Sequence, residues 1–150
     1  MKLLRPCLGA LFAVGLFFAP TTSEAAGVRV GLGADYWIDD SAAFNFTLGV
    51  ETRITGPLSV GARFGAALIT DGNDVGIPLD IILRANLARN RIYIEGMAGP
   101  WLVFGRGDDD VFRAHAAFGF GLQGKAASIG IEVGYLSPNP IIGLRLGYKF

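Results

Sequence analysis

Beyond residue 25 the chain has no cysteine, only two lysines (Lys125 and Lys149), a single histidine (His115) and no apolar run long enough for a membrane helix. Each shortage excludes something. Without cysteine, neither disulfides nor thiol chemistry can serve as stabiliser or catalyst. Setting aside Lys2, Arg5 and Glu24 leaves 11 basic against 12 acidic residues, a net charge of −1. The basic footprint of nucleic-acid binding is therefore missing. Yet 51% of all residues are hydrophobic and mean hydropathy is +0.44. So much apolar residue without an apolar run has to be dispersed by alternation.

The first 25 residues have a different character. Lys2 and Arg5 precede an apolar run over residues 8–19, followed by polar Thr21, Thr22 and Ser23 and the small-residue ending Ser23-Glu24-Ala25. That order is a secretory signal peptide with expected cleavage after Ala25, and the apolar run is short for a bilayer span. Cys7 follows Pro6 early in this region, without small residues just before it, so no lipoprotein anchor is expected. Residues 26–150 then form one domain.

Side chains alternate across a strand with period two. In the last segment Ile142, Leu144, Leu146, Tyr148 and Phe150 fall on one side, and Ile141, Gly143, Arg145, Gly147 and Lys149 on the other. One face is apolar with an aromatic end; the other is mostly charged or free of side chains. Seven more segments divide likewise, near residues 28–38, 44–54, 58–68, 79–88, 92–104, 112–122 and 127–135. Each is about as long as a tilted membrane strand needs to be. The fifth is the least regular, and Pro100, which cannot donate to a ladder, predicts a bulge or strand end there. Eight is even, as closure of an antiparallel meander requires.

The connections alternate as well. Thr55-Gly56-Pro57, Arg89-Asn90-Arg91 and Gln123-Gly124-Lys125 read as tight turns. The other four carry Asp39 and Asp40, Asp71 to Asp74, Gly105 to Asp110, and Ser137 to Asn139. With both termini periplasmic, the tight set is periplasmic and the other extracellular. Tyr36, Phe44, Phe104, Phe112 and Tyr135 then mark the outer interface, and Tyr148 and Phe150 the inner one. The expectation is an all-β fold: an eight-stranded antiparallel up-and-down transmembrane β-barrel after a cleaved signal peptide. A soluble barrel of the lipocalin kind would exchange the faces, but its exterior would then be glycine-rich and carry only two lysines.

On these features the chain resembles the small eight-stranded outer-membrane barrels of Gram-negative bacteria, in the general OmpA-like and OmpX-like class. The resemblance spans the whole of residues 26–150 and singles out no subfamily. It implies an outer-membrane location, contact with outer-membrane lipid and lipopolysaccharide, and a terminal pattern (Leu146, Tyr148 and Phe150) read by the barrel-insertion machinery. No cofactor and no nucleic-acid partner is implied, and any surface ligand is left open.

The polar faces place Arg29, Asp35, Glu51, Arg53, Arg63, Asp80, Arg84, Glu95, Arg113, His115, Glu132, Arg145 and Lys149 in the lumen. Confined charges persist only when paired or hydrated. They could line a narrow solute path or interlock as a plug; an eight-stranded interior has room for little beyond side chains, which favours the plug. The same class includes lipid A deacylases and a palmitoyl transferase, so His115 with Ser128 and Glu132 on the next strand could be an acyl-transfer triad. The deacylases, however, place serine two residues after histidine on one strand, where this chain has Ala117. His115 as one more lumen hydrogen-bonding group is the preferred reading, and no catalytic residue is assigned.

Two further matches fail on context. Gly119-Phe120-Gly121-Leu122-Gln123-Gly124 fits a dinucleotide fingerprint literally, but it runs along a strand into a hairpin rather than into a helix. Asp71-Gly72-Asn73-Asp74 starts like an EF-hand loop, but Val75 and Ile82 occupy ligand positions. Asp71, Asp74, Asp108, Asp109 and Asp110 are weak candidates for Ca²⁺ or Mg²⁺ on the outer loops, and simple solvation of the rim is the plainer account.

Overall fold

The computed structural model describes residues 26–38, 41–70, 74–105 and 111–150. The expected leader, Asp39, Asp40, Asp71 and Asp108 to Asp110 lie outside the described residues. Eight strands follow one another: β1 (Gly27–Trp37), β2 (Ser41–Thr55), β3 (Leu58–Ile69), β4 (Asp74–Leu87), β5 (Ile92–Phe104), β6 (Phe112–Gln123), β7 (Ala127–Leu136) and β8 (Asn139–Lys149). Each pairs antiparallel with its neighbour in sequence, and β1 closes on β8 from Arg29↔Lys149 to Trp37↔Ile141. Closure leaves no edge strand with unpaired backbone groups, the condition for crossing a bilayer with strands.

The alternation legible in the sequence decides which face points where. Among the described residues 33 large hydrophobic side chains are exposed and only ten hydrophobic residues are buried. That inverts a water-soluble domain, whose large apolar side chains go inside. Leu68, Ile81 and Leu122 each expose more than 60% of their surface, whereas Asp80, Glu132 and His115 are at 3% or less. The apolar wall suits lipid, and the charged groups occupy the space within.

Three local expectations are corrected. β4 begins at Asp74, five residues before the expected start, because its inward positions there are Gly76 and Pro78, both buried, which do not look like an alternating strand. Pro100 produces neither a bulge nor an end: β5 runs through it. The β4–β5 register is the same on either side of it (Pro78↔Trp101 and Ile81↔Ala98), with the ladder interrupted only between. Proline withholds a donor, and here that costs local bonds without shifting the strands. Among the described residues the one irregularity in register lies instead between Arg53 and Thr55, at the β2–β3 turn. Finally, the β7–β8 connection is two residues, 137–138, as short as the β2–β3 turn at the opposite end.

Candidate functional site: the filled lumen

Inward residues stack in layers along the barrel. At the short-turn end Arg29 donates to Glu51 (3.1 Å) and to the Ser128 hydroxyl (3.2 Å), and Lys149 lies 3.5 Å from the same Glu51 oxygen. Above it Arg84 donates through Nε (2.8 Å) and Nη2 (2.5 Å) to Glu95 and lies over the Tyr93 ring, 4.2 Å from its centroid. A guanidinium can do both at once, because its plane stacks while its edge donates.

The middle layer is the densest. Arg63 donates to Asp80 (2.7 and 3.1 Å) and, through Nη1, to Glu132 (3.0 Å). Arg145 donates to both Glu132 oxygens (2.9 and 2.8 Å) and to Asp35, which also accepts from Asn45 (2.5 Å). His115 Nδ1 lies 2.7 Å from Asp80, and Nε2 is 3.6 Å from Glu132. β3 and β7 stand four strands apart in a ring of eight, so the Arg63–Glu132 pair spans the diameter. Small inward residues make this possible. A Cβ on Gly143 would collide with the Asp35 carboxylate, and one on Gly33 with the Arg145 and Asn45 side chains.

The ion pairs among the described residues join five cations (Arg29, Arg63, Arg84, Arg145 and Lys149) to five carboxylates (Asp35, Glu51, Asp80, Glu95 and Glu132). Formal charge balances among these ten groups, which offsets much of what removing so many charges from water would otherwise cost. Arg53 is exposed at the short-turn rim, and Arg113 is half-buried on β6 opposite Trp101; both have partners of their own outside these pairs. A cavity of about 50 Å³ reaches from the first layer to the middle one, lined by Arg29, Ser128, Arg84, Tyr93, Arg63 and Arg145 among others. It has room for a few water molecules.

Sequence reasoning set Trp37 and Ile141 on the inward face by alternation but did not anticipate an apolar layer at the long-loop end. Trp37, Ala43, Ala67, Ile69, Trp101, Val103, Leu136 and Ile141 form a buried apolar cluster inside the barrel. Trp37 Nε1 donates to the Leu136 carbonyl on β7 (2.8 Å), and the Trp101 ring packs against His115 with centroids 5.4 Å apart. The strand period could have placed the others, since Trp101 shares the parity of Tyr93 and Glu95. Hydrophobicity alone assigns them to lipid.

The candidate acyl-transfer triad is not assembled. Glu132 is near His115, but Ser128 hydrogen-bonds Arg29 in another layer. His115 pairs in register with Leu136, eight residues from Ser128 along β7, which is about 26 Å at about 3.3 Å per residue. The His115 side chain is wholly buried. Among the described residues no three His, Cys, Asp or Glu side chains are grouped to hold a metal ion. Of the loop candidates only Asp74 is described, at the start of β4 beside Gly105.

A closed eight-stranded antiparallel barrel with an apolar wall and a charged interior defines a class: the small transmembrane β-barrels. Solved structures agree. The barrel is similar to the de novo designed transmembrane barrel TMB2.3 (TM-score 0.65, 14% identity, covering 86% of this chain and 98% of that one). It is similar as well to the outer membrane protein Ail of Yersinia pestis in a phospholipid nanodisc (TM-score 0.56, 12% identity, 84% and 100% covered). The N-terminal barrel domain of Pseudomonas aeruginosa OprF also matches (TM-score 0.52, 14% identity, 84% and 100% covered). No family model matches the chain, and no curated protein does. At these identities the likeness is one of fold.

Proposed function

We propose that the protein is a non-enzymatic barrel of the bacterial outer membrane, serving envelope integrity or surface contact rather than transport. The observation that supports a non-conducting role is the Arg63–Glu132 pair, which spans the bore by direct contact at 3.0 Å beneath an apolar plug holding both tryptophans. An ion entering from either end would have to displace paired charges or a packed aromatic layer. The natural occupants of the outer wall are outer-membrane lipid and lipopolysaccharide. Leu146, Tyr148 and Phe150, aligned outward on β8 and beyond, are the segment offered to the insertion machinery.

The test has two parts. Cell fractionation with heat-modifiable gel migration should find a folded barrel in the outer membrane; a soluble periplasmic product would overturn the location. Planar bilayer recordings on purified protein should show no stable, discrete conductance, and reproducible channel steps would overturn the filled-lumen reading.

A further inference from the structure

Cations on the two rims are distributed unevenly, and one group of them has no protein partner. The turn segments at residues 53–58, 87–92 and 122–127 contain no aspartate or glutamate, but they carry Arg53, Arg89, Arg91 and Lys125. Among the described residues Arg89, Arg91 and Lys125 make no ion pair or side-chain hydrogen bond. They are gathered in one place. The β4–β5 turn is tied to the end of β6 (Gln123 N–H to the Arg91 carbonyl, 2.9 Å), and the β6–β7 turn to the end of β8 (Lys149 N–H to the Ala126 carbonyl, 2.8 Å). Between them runs an open groove of about 780 Å³ that includes Arg89, Arg91, Leu122, Lys125 and Lys149. Both lysines beyond residue 25 are on it.

The groove is amphipathic. Leu122, 61% exposed, belongs to the lipid-facing wall and also lines the groove. Leu87 and Ile92, which flank the β4–β5 turn, continue that wall beneath the arginines. A soluble anion or acidic peptide would engage the cations and leave the apolar side chains bare. A molecule with a phosphate above and hydrocarbon below meets both.

We infer that this groove is a binding site for the headgroup of an anionic phospholipid in the inner leaflet, with Arg89, Arg91 and Lys125 facing its phosphate and Leu122 its acyl chain. Guanidinium suits phosphate because it offers paired donors in one plane. Lys149, already near Glu51, adds charge without being required. The inference rests on the outer-membrane location proposed above, together with the orientation expected from the sequence, in which the β2–β3, β4–β5 and β6–β7 turns face the periplasm.

The test uses the full mature chain folded in neutral detergent micelles, with heat-modifiable migration as the check of the barrel. Dioleoylphosphatidylglycerol or dioleoylphosphatidylcholine is titrated in, and bound lipid is counted by native mass spectrometry. One phosphatidylglycerol should be retained at least tenfold more tightly than phosphatidylcholine at low salt. Neutralising cations singly (Arg89→Gln, Arg91→Gln and Lys125→Gln) should lower retention about fivefold each, whereas Arg89→Lys, which keeps the charge and loses the paired donors, should lower it by less. Equal retention of the two lipids, or a triple variant that binds like wild type, would overturn the inference. Displacement by 10 mM inorganic phosphate, or by an acidic octapeptide, would overturn it too, assigning the groove to a soluble anion. A chain that forms no barrel in micelles and fractionates as soluble would defeat the orientation as well. A well-folded barrel without lipid preference would defeat this inference alone.

Discussion

Glu132 offers the sharpest test of the lumen. It is 1% exposed, on β7, and accepts hydrogen bonds from Arg63 on β3 and Arg145 on β8. Glu132→Met would strand no cation completely, since Arg63 keeps Asp80 and Arg145 keeps Asp35. The cost therefore sits at the lower end for breaking a buried pair, about 3 kcal/mol. With a urea slope of about 2 kcal/mol per molar, the unfolding midpoint should fall by about 1.5 M. Trp37 and Trp101, 4% and 1% exposed inside the lumen, report the transition by fluorescence. Arg145→Met should cost a similar amount, because Asp35 would retain only Asn45. The double variant should fall short of the sum by about 1 kcal/mol, because the Arg145–Glu132 hydrogen bonds are lost in either single change and can be lost only once. A shift below about 0.3 M, or strict additivity, would show that water screens these charges and that the lumen is wet rather than locked.

Three further outcomes follow from particular contacts. Gly143→Ala, whose methyl would meet the Asp35 carboxylate, should destabilise the barrel by about 1–3 kcal/mol; Gly96→Ala, which faces open space on the lipid side, should leave the urea midpoint unchanged. Trp101→Ala should cost about 3–5 kcal/mol by emptying the apolar layer, yet bilayer recordings should still show no conductance, because the ionic layers beneath remain in place. Phe150→Ala removes a ring that is 76% exposed and touches only the Tyr148 edge among the rings described; pulse-chase assembly in cells should slow several-fold while the midpoint of the purified barrel moves by less than about 0.5 kcal/mol equivalent.

How far the sequence carried depends on the kind of signal. Period two is local and geometric, so β5 was legible to the residue, at Ile92–Phe104, and the parity of Arg63, Glu95 and Glu132 fixed them as inward. The first five residues of β4 were not legible, since a glycine and a proline occupy its inward positions and leave no polar contrast. Pairing was beyond reach for another reason. That Arg63 should meet Glu132, 69 residues away, depends on the stagger of the closed barrel, which no single strand encodes. The apolar layer was legible only in part: alternation set Trp37 and Ile141 inward, but Trp101 and the rest went unplaced because lipid and a dry lumen select the same side chains. The cationic groove was visible only as scattered arginines and two lysines until the turns were brought side by side.

The Arg63–Glu132 contact has a consequence for how such a barrel is made. Arg63 and Asp80 belong to β3 and β4, Glu132 and Arg145 to β7 and β8. A sheet that holds only the first strands would carry into the bilayer an arginine missing one of its two carboxylates and an interior open to water. The pairing of the middle layer is therefore completed only when the last hairpin arrives. The lumen ties the first hairpins to the last, so that closing the barrel and completing its ion pairs are one event.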